Sequence, residues 1–148
     1  MWLRQATARG DTVALGKALE ALERAASTDD ATSTILEAYG RALLMDNQIE
    51  AAERVLLQAT RRYPVDASAL ATYAAVAERL NHAGAARTAL IDYGALVGDE
   101  PDFGARAASI ARLSLRLNDQ ATAASWIARG LEKDPGNAAL QALDTRVK

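Results

Sequence analysis

The chain has 148 residues, enough for one domain with a hydrophobic core. Half of the residues are hydrophobic but only 5% are aromatic, and the abundance of Ala, Leu, Glu and Arg favours helices over strands. The net charge of −2 gives no reason to expect binding to nucleic acid or to an anionic membrane surface. The sequence has no run of 18 or more apolar residues, so we expect no insertion into a membrane. The absence of cysteine excludes disulfides and thiolate metal sites.

Predicted helices follow one another in pairs along the chain. The first pair occupies residues 1–32, where Asp11 follows Gly10 at a turn and is expected to cap a long second helix. Further pairs occupy residues 33–66, 67–100 and 104–137, and residues 138–148 are expected to form a closing helix. Four residues of the closing helix are expected to face the preceding pair: Ala139, Leu140, Leu143 and Val147.

The pairs are related by an internal repeat with steps of 34, 34 and 37 residues. In the second helix of each pair, small residues form one column: Ala18, Ala52, Ala86 and Ala123. Larger apolar residues form the next: Leu22, Leu56, Leu90 and Ile127. In the first helix of each pair, small residues recur again: Ala6, Gly40, Ala74 and Ala111. The four pairs therefore share one pattern of small and large side chains.

Asparagine recurs at the break between the two helices of a pair, at Asn47, Asn81 and Asn118. Asn tolerates the left-handed backbone conformation that ends many helices, so we expect this conformation at all three positions. The three prolines all lie between pairs, where proline can stop a helix without kinking one: Pro64, Pro101 and Pro135.

The unit at residues 33–66 reads Leu36-x-x-Tyr39-Gly40-x-x-Leu43, then Ala52-x-x-x-Leu56, Ala59 and Pro64. This pattern resembles the tetratricopeptide repeat (TPR), and the resemblance covers nearly the whole chain. It implies an all-α fold, a TPR solenoid in which helical hairpins stack into a right-handed α-α superhelix. It also implies that the helices of a hairpin cross where Gly40 meets the region of Ala52, because small side chains let helix axes approach closely.

In proteins of this family, the first helices of successive repeats line a concave groove that holds a peptide or a helix of a partner protein. The resemblance therefore implies a binding role for the matching positions of three repeats. These are Thr34, Glu37, Arg41, Leu44 and Met45; then Ser68, Ala71, Ala75, Glu78 and Arg79; then Ala105, Ala108, Arg112, Leu115 and Arg116.

Four of these groove residues are arginines, in two columns: Arg41 with Arg112, and Arg79 with Arg116. Guanidinium groups pair well with carboxylates, so an acidic protein or peptide is the predicted partner. The alternative is that these arginines are solvated residues in an Arg-rich composition, partly neutralised by Glu37 and Glu78. The groove lacks the Lys/Asn clamp of chaperone-binding TPR domains, since Glu37 stands where that clamp has a cation.

No pattern of catalytic or cofactor-binding residues occurs, and we expect neither an enzyme, nor a cofactor, nor a metal. His82 follows Asn81 in a turn, without Cys, His or carboxylate partners at the spacing that metal sites need. Asp29 and Asp30 lie between pairs, where a solvated loop with an N-cap role is expected. Trp126 is expected to pack in the core against the closing helix.

Two other functions remain open. The array could assemble end to end into a homodimer or a structural spacer, through the Trp2 face or the closing helix. It could also be the regulatory arm of an enzyme encoded outside this chain. Because Trp2 lies in a core column at the start, we expect a domain cut from a longer protein; a short chain whose first helix starts at once is the alternative.

The cellular compartment stays unknown from the sequence. The cytoplasm is the default, and the periplasm is the alternative for a piece of an exported protein. The Ala- and Arg-rich, Lys-poor composition suggests a bacterial genome of high GC content.

Ala52→Trp should lower the melting temperature by several degrees. A bulky side chain at a close helix crossing is overpacked and costs about 1–3 kcal/mol. Thermal unfolding followed by circular dichroism measures the change. An unchanged melting temperature would show that the helices do not cross at Ala52.

Overall fold

A computed structural model describes residues 12–99 and 102–148, which form eight α helices and no strand. The helices are α1 (Thr12–Ala26), α2 (Ser33–Met45), α3 (Ile49–Ala59), α4 (Ala67–Arg79), α5 (Ala83–Val97), α6 (Phe103–Arg116), α7 (Gln120–Lys133) and α8 (Ala138–Val147). The predicted all-α class is confirmed. Five residues of the predicted columns and turns lie outside the described residues: Trp2, Ala6, Gly10, Asp11 and Pro101.

The chain divides into two compact units, with the boundary inside α4 between Val76 and Ala77. In the first unit, α1 packs on α2 and α2 packs on α3. In the second unit, α5 packs on α6, α6 packs on α7, and α8 packs on both α6 and α7. Packing between consecutive helices is consistent with a helical repeat, in which each element buries its apolar side against its neighbours. None of the described helices is both long and apolar enough to cross a membrane.

The three predicted asparagine turns have the same backbone conformation. Asn47, Asn81 and Asn118 are left-handed, with φ values of 60°, 65° and 59°. At each turn, the backbone N–H after the asparagine donates to a carbonyl five residues earlier, with N–O distances of 2.8, 2.7 and 2.8 Å. These bonds satisfy carbonyls that the end of a helix leaves without a partner. The prediction for all three turns is confirmed.

In the first unit, Gly40 marks the closest approach of α2 and α3. A Cβ on Gly40 would lie 2.5 Å from Cγ of Leu56, so the leucine side chain takes the space that any other residue would need. The prediction placed this contact in the region of Ala52, which lies one turn before Leu56 on α3. Ala52 is fully buried on that side of α3, but the longer side chain of Leu56 reaches over Gly40.

The second unit has a core of small and large apolar side chains: Phe103, Ala107, Ala108, Ala111, Ala123, Ile127, Leu140 and Leu143. Trp126 is half-buried against this core, as predicted, and its ring lies 6.1 Å from that of Phe103. In the closing helix α8, Leu140 and Leu143 are buried and Val147 packs on the core. The prediction was wrong for Ala139, which is exposed because it lies on the outer side of α8.

The junction before α2 is held by side chains from the following hairpin. Arg62 donates to the carbonyl oxygens of Asp29 and Ala31, at 3.0 and 3.2 Å. Thr32, and not an aspartate, caps α2, because its hydroxyl accepts the backbone N–H of Ile35. The N-cap role predicted for Asp29 and Asp30 is therefore wrong, although both residues are exposed as expected.

The polar contacts between hairpins join residues whose separation along the chain is close to the repeat length of 34 residues. In the first unit, Thr72 donates to Glu37 across 35 residues. In the second unit, Arg112 donates to Glu78 across 34 residues, and Arg87 donates to Asp119 across 32. Equivalent places in successive hairpins thus lie beside each other within each unit.

Gly40→Ala should destabilise the protein, although alanine is the better helix former. Overpacking against Leu56 costs about 1–3 kcal/mol, more than the roughly 0.5–1 kcal/mol gained from helix propensity. Gly16→Ala, inside α1, is the control, because among the described residues no atom beyond the adjacent residues and the backbone of α1 lies within 4 Å of the added Cβ. Urea unfolding of both variants measures the changes in free energy. A Gly40 variant as stable as the Gly16 variant would rule out the close approach.

Candidate functional site

In the first unit, two hydrogen bonds between side chains join α2 to α4 and to the residue just before α4. Thr34 donates to Asp66, just before α4, at 2.9 Å. Thr72 donates to the carboxylate of Glu37 at 3.2 Å. The predicted groove residues that these helices expose define the α2–α4 face: Thr34, Arg41 and Met45 from α2, with Ser68, Ala71 and Ala75 from α4.

The buried carboxylate of Glu37 lies beneath the exposed residues of the α2–α4 face, and we call it the floor of this face. Glu37 is only 3% exposed, so its side chain is not available to a partner. Nε of Arg41 lies 2.8 Å from Oε1 of Glu37, and the hydroxyl of Thr72 donates to the same oxygen. A buried carboxylate needs such partners, because its charge has lost the solvation by water. Arg41 therefore stabilises the floor of the face as well as exposing part of its side chain.

In the second unit, two predicted groove arginines converge on one glutamate. Arg112 donates to Oε2 of Glu78 at 2.7 Å, and Nη1 of Arg116 lies 3.6 Å from the same oxygen. Arg79, the next residue after Glu78, is exposed at the end of α4. We refer to Arg112 and Arg116 with Glu78 as the arginine cluster.

The other predicted groove residues differ in their exposure. Ala108 is buried in the core of the second unit, and Leu115 packs against that core. Leu44 in the first unit is half-buried, whereas Ala105 in the second is exposed. Ala108 therefore has a structural role, and only Ala105 adds exposed surface on α6 beside the two arginines.

Sequence reasoning missed Arg106, a buried arginine that the pattern does not distinguish from a surface residue. Arg106 is 8% exposed, donates to the carbonyl oxygen of Gly98 at 2.9 Å, and lies over the rings of Tyr93 and Phe103. These contacts hold the segment in which the repeat lengthens from 34 to 37 residues. In the sequence, only the lengthening of the repeat from 34 to 37 residues indicates that this segment needs an additional stabilising contact.

A second missed contact fixes the turn between α6 and α7. Arg87 on α5 donates to Asp119 at 2.9 Å and to the buried hydroxyl of Ser114 at 3.2 Å. Asp119 caps α7 by accepting the backbone N–H of Thr122. Hydrogen bonds from the Thr122 side chain and backbone, followed by the bond from Arg87, lower the pKa of the Asp119 carboxyl below its usual value of 3.8.

The remaining polar features lie at the starts of α5 and α6. Among residues 12–99 and 102–148, no group of three or more His, Asp or Glu side chains is placed to hold a metal ion. His82 is exposed at the start of α5. A pocket of about 310 Å³ lies at the start of α6, but the Asp134 carboxylate already occupies the space beside Gly104 there.

No family model matches the chain, and no curated protein matches it in a sequence comparison. The class that the fold defines is therefore an all-α protein of consecutively packed helices.

Asp119→Asn should reduce the free energy of unfolding at neutral pH and have less effect in acid. Since the folded pKa is lowered, the charge stabilises the fold above about pH 3.8, and this stabilisation is lost as the pH falls through the folded pKa. Asparagine can still accept the Thr122 N–H, so the variant removes mainly the charge.

Urea unfolding at several pH values between about 7 and 2.5 measures the effect of this substitution. Asp92→Asn on the exposed side of α5 is the control for the change in net charge. A loss of stability that is the same at both ends of the pH range would contradict the role of the charge.

Proposed function

We propose that this chain is a protein–protein interaction module, a TPR-type solenoid that binds a peptide or helix of a partner protein. The packing of consecutive helices, the three left-handed asparagine turns and the polar contacts across 32 to 35 residues support the proposal. In this proposal the hairpins stack into a right-handed superhelix, and the chain has no enzymatic activity and no cofactor.

The α2–α4 face is the observation that carries the proposal. Its α4 side consists of small side chains, Ser68, Ala71 and Ala75, which allow the backbone of a partner to come close. Its α2 side carries the exposed part of Arg41 and Met45, which is 40% exposed. Methionine adapts to the shape of a partner, and arginine is enriched in binding hot spots.

Polar contacts within the unit hold the floor of the α2–α4 face in place without a partner. Glu37 ties Arg41 of α2 to Thr72 of α4, and Thr34 ties α2 to Asp66. A face whose helices are already held in place loses little conformational entropy on binding. This preorganisation favours recognition of a folded or extended segment over a purely structural role for the same residues.

Self-assembly is the alternative function, and the described end of the chain does not favour it. The outer side of α8 exposes polar and small side chains, among them Gln141, Ala142, Thr145 and Arg146. Such a surface is typical of a helix side that faces water. The Trp2 face lies outside the described residues.

Site-specific photocrosslinking in cells that produce the protein tests the proposed function. A photoreactive amino acid at Ala71 or Ala75 should form a crosslink to a partner protein, because both positions are exposed on the α2–α4 face. The same amino acid at Gln58, exposed on α3, is the matched control and should give no such crosslink. Equal crosslinking at all three positions, or crosslinks only between copies of this chain, would overturn the proposal in favour of assembly.

A further inference from the structure

The arginine cluster of the second unit carries more positive than negative charge. Two guanidinium groups, those of Arg112 and Arg116, approach a single carboxylate, that of Glu78, which gives a formal local charge of about +1. The side chains of Arg112 and Arg116 are 43% and 45% exposed, so a ligand can reach both.

Arg112 and Arg116 do not use all of their N–H donors in their contacts with Glu78. Both approach the same oxygen of Glu78, Arg112 at 2.7 Å and Arg116 at 3.6 Å. A guanidinium has five N–H donors and can hold a carboxylate through two parallel bonds. Neither contact with Glu78 has that paired geometry, so the arginines could bind a further carboxylate more completely than they bind Glu78.

Glu78 is also poorly placed as a permanent partner. It lies in the last turn of α4, where the partial negative charge of the helix end disfavours a carboxylate. Its side chain is 27% exposed, so water weakens its attraction to the arginines. The contact is therefore strong enough to occupy the arginines and weak enough for another carboxylate to replace it.

The side of α6 that carries the two arginines also carries small side chains. Ala105, Ser109, Arg112 and Arg116 are spaced 4, 3 and 4 residues apart and so share one side of α6. The first two are small, and Ala105 is exposed. A peptide backbone along this stripe would place its acidic side chains at the two arginines.

From this charge complementarity we infer that the arginine cluster binds an acidic segment of a partner protein, and that Glu78 is a built-in competitor for the same guanidinium groups. The inference rests on the proposed protein-binding function and names the chemistry of the segment. Glu78 keeps the arginines occupied in the absence of a partner, so the carboxylates of a partner must replace it.

A fluorescein-labelled oligoglutamate peptide is the probe, with an oligoglutamine peptide as the reference, and fluorescence anisotropy measures binding. Glu78→Gln should bind oligoglutamate about two- to five-fold more tightly than the wild type, because an exposed ion pair no longer competes. Glu20→Gln, on the exposed side of α1, makes the same change in net charge and should leave the affinity unchanged. The double variant Arg112→Gln, Arg116→Gln should lose most of the binding, and added salt should weaken the wild-type complex.

Equal or weaker binding by Glu78→Gln would overturn the role of Glu78 as a competitor. Binding that the double arginine variant retains, or that oligoglutamine matches, would overturn the acidic preference. If Ala71 crosslinks to a partner but oligoglutamate does not bind, the protein-binding function stands and the inference fails. If neither experiment detects binding, both fall together. Circular dichroism of each variant separates a lost contact from a lost fold.

Discussion

The close approach of neighbouring helices is the constraint on which the rest of the structure depends. Gly40 lets α2 come so near α3 that the Leu56 side chain fills the position of a missing Cβ. In the second unit, Gly130 lies in the same way against Leu140 and Ala107. With only 5% aromatic residues, the chain gains little burial from any one side chain. Close packing of small residues brings the leucines and isoleucines into contact and makes up the difference.

Polar side chains then fix which parts of neighbouring hairpins meet. Apolar contacts alone tolerate sliding, because they have no direction, whereas a hydrogen bond requires particular atoms at a particular distance. Glu37 with Thr72, and Glu78 with Arg112, join places one repeat apart within their own units. The same contacts also hold the surfaces that we propose as binding sites, so the residues that set the register and those that form the surface overlap.

Because of this overlap, the arginines of the predicted groove have a structural role as well as a proposed binding role. Three of them pair with carboxylates of the same unit: Arg41 with Glu37, and both Arg112 and Arg116 with Glu78. Such pairs are what a solvated, Arg-rich surface would also form. The two glutamates differ in burial, however, since the side chain of Glu37 is 5% exposed and that of Glu78 is 27% exposed. Burial makes the first pair part of the fold, whereas water reaches the second pair, which is the one that we propose a partner's carboxylates replace.

The sequence by itself determined the helical class, most of the helix positions and the left-handed asparagine turns. These follow from local rules: helix propensity, the periodicity of small and large residues, and the tolerance of Asn for positive φ. Only the tertiary structure decided that Leu56 covers Gly40, that Glu37 and Ala108 are buried, and that Arg106 lies between two rings. Those outcomes depend on which side of each helix meets a neighbour and how far a side chain reaches across. The spacing along one chain does not contain that information, because contacts across about 34 residues arise only when the hairpins pack.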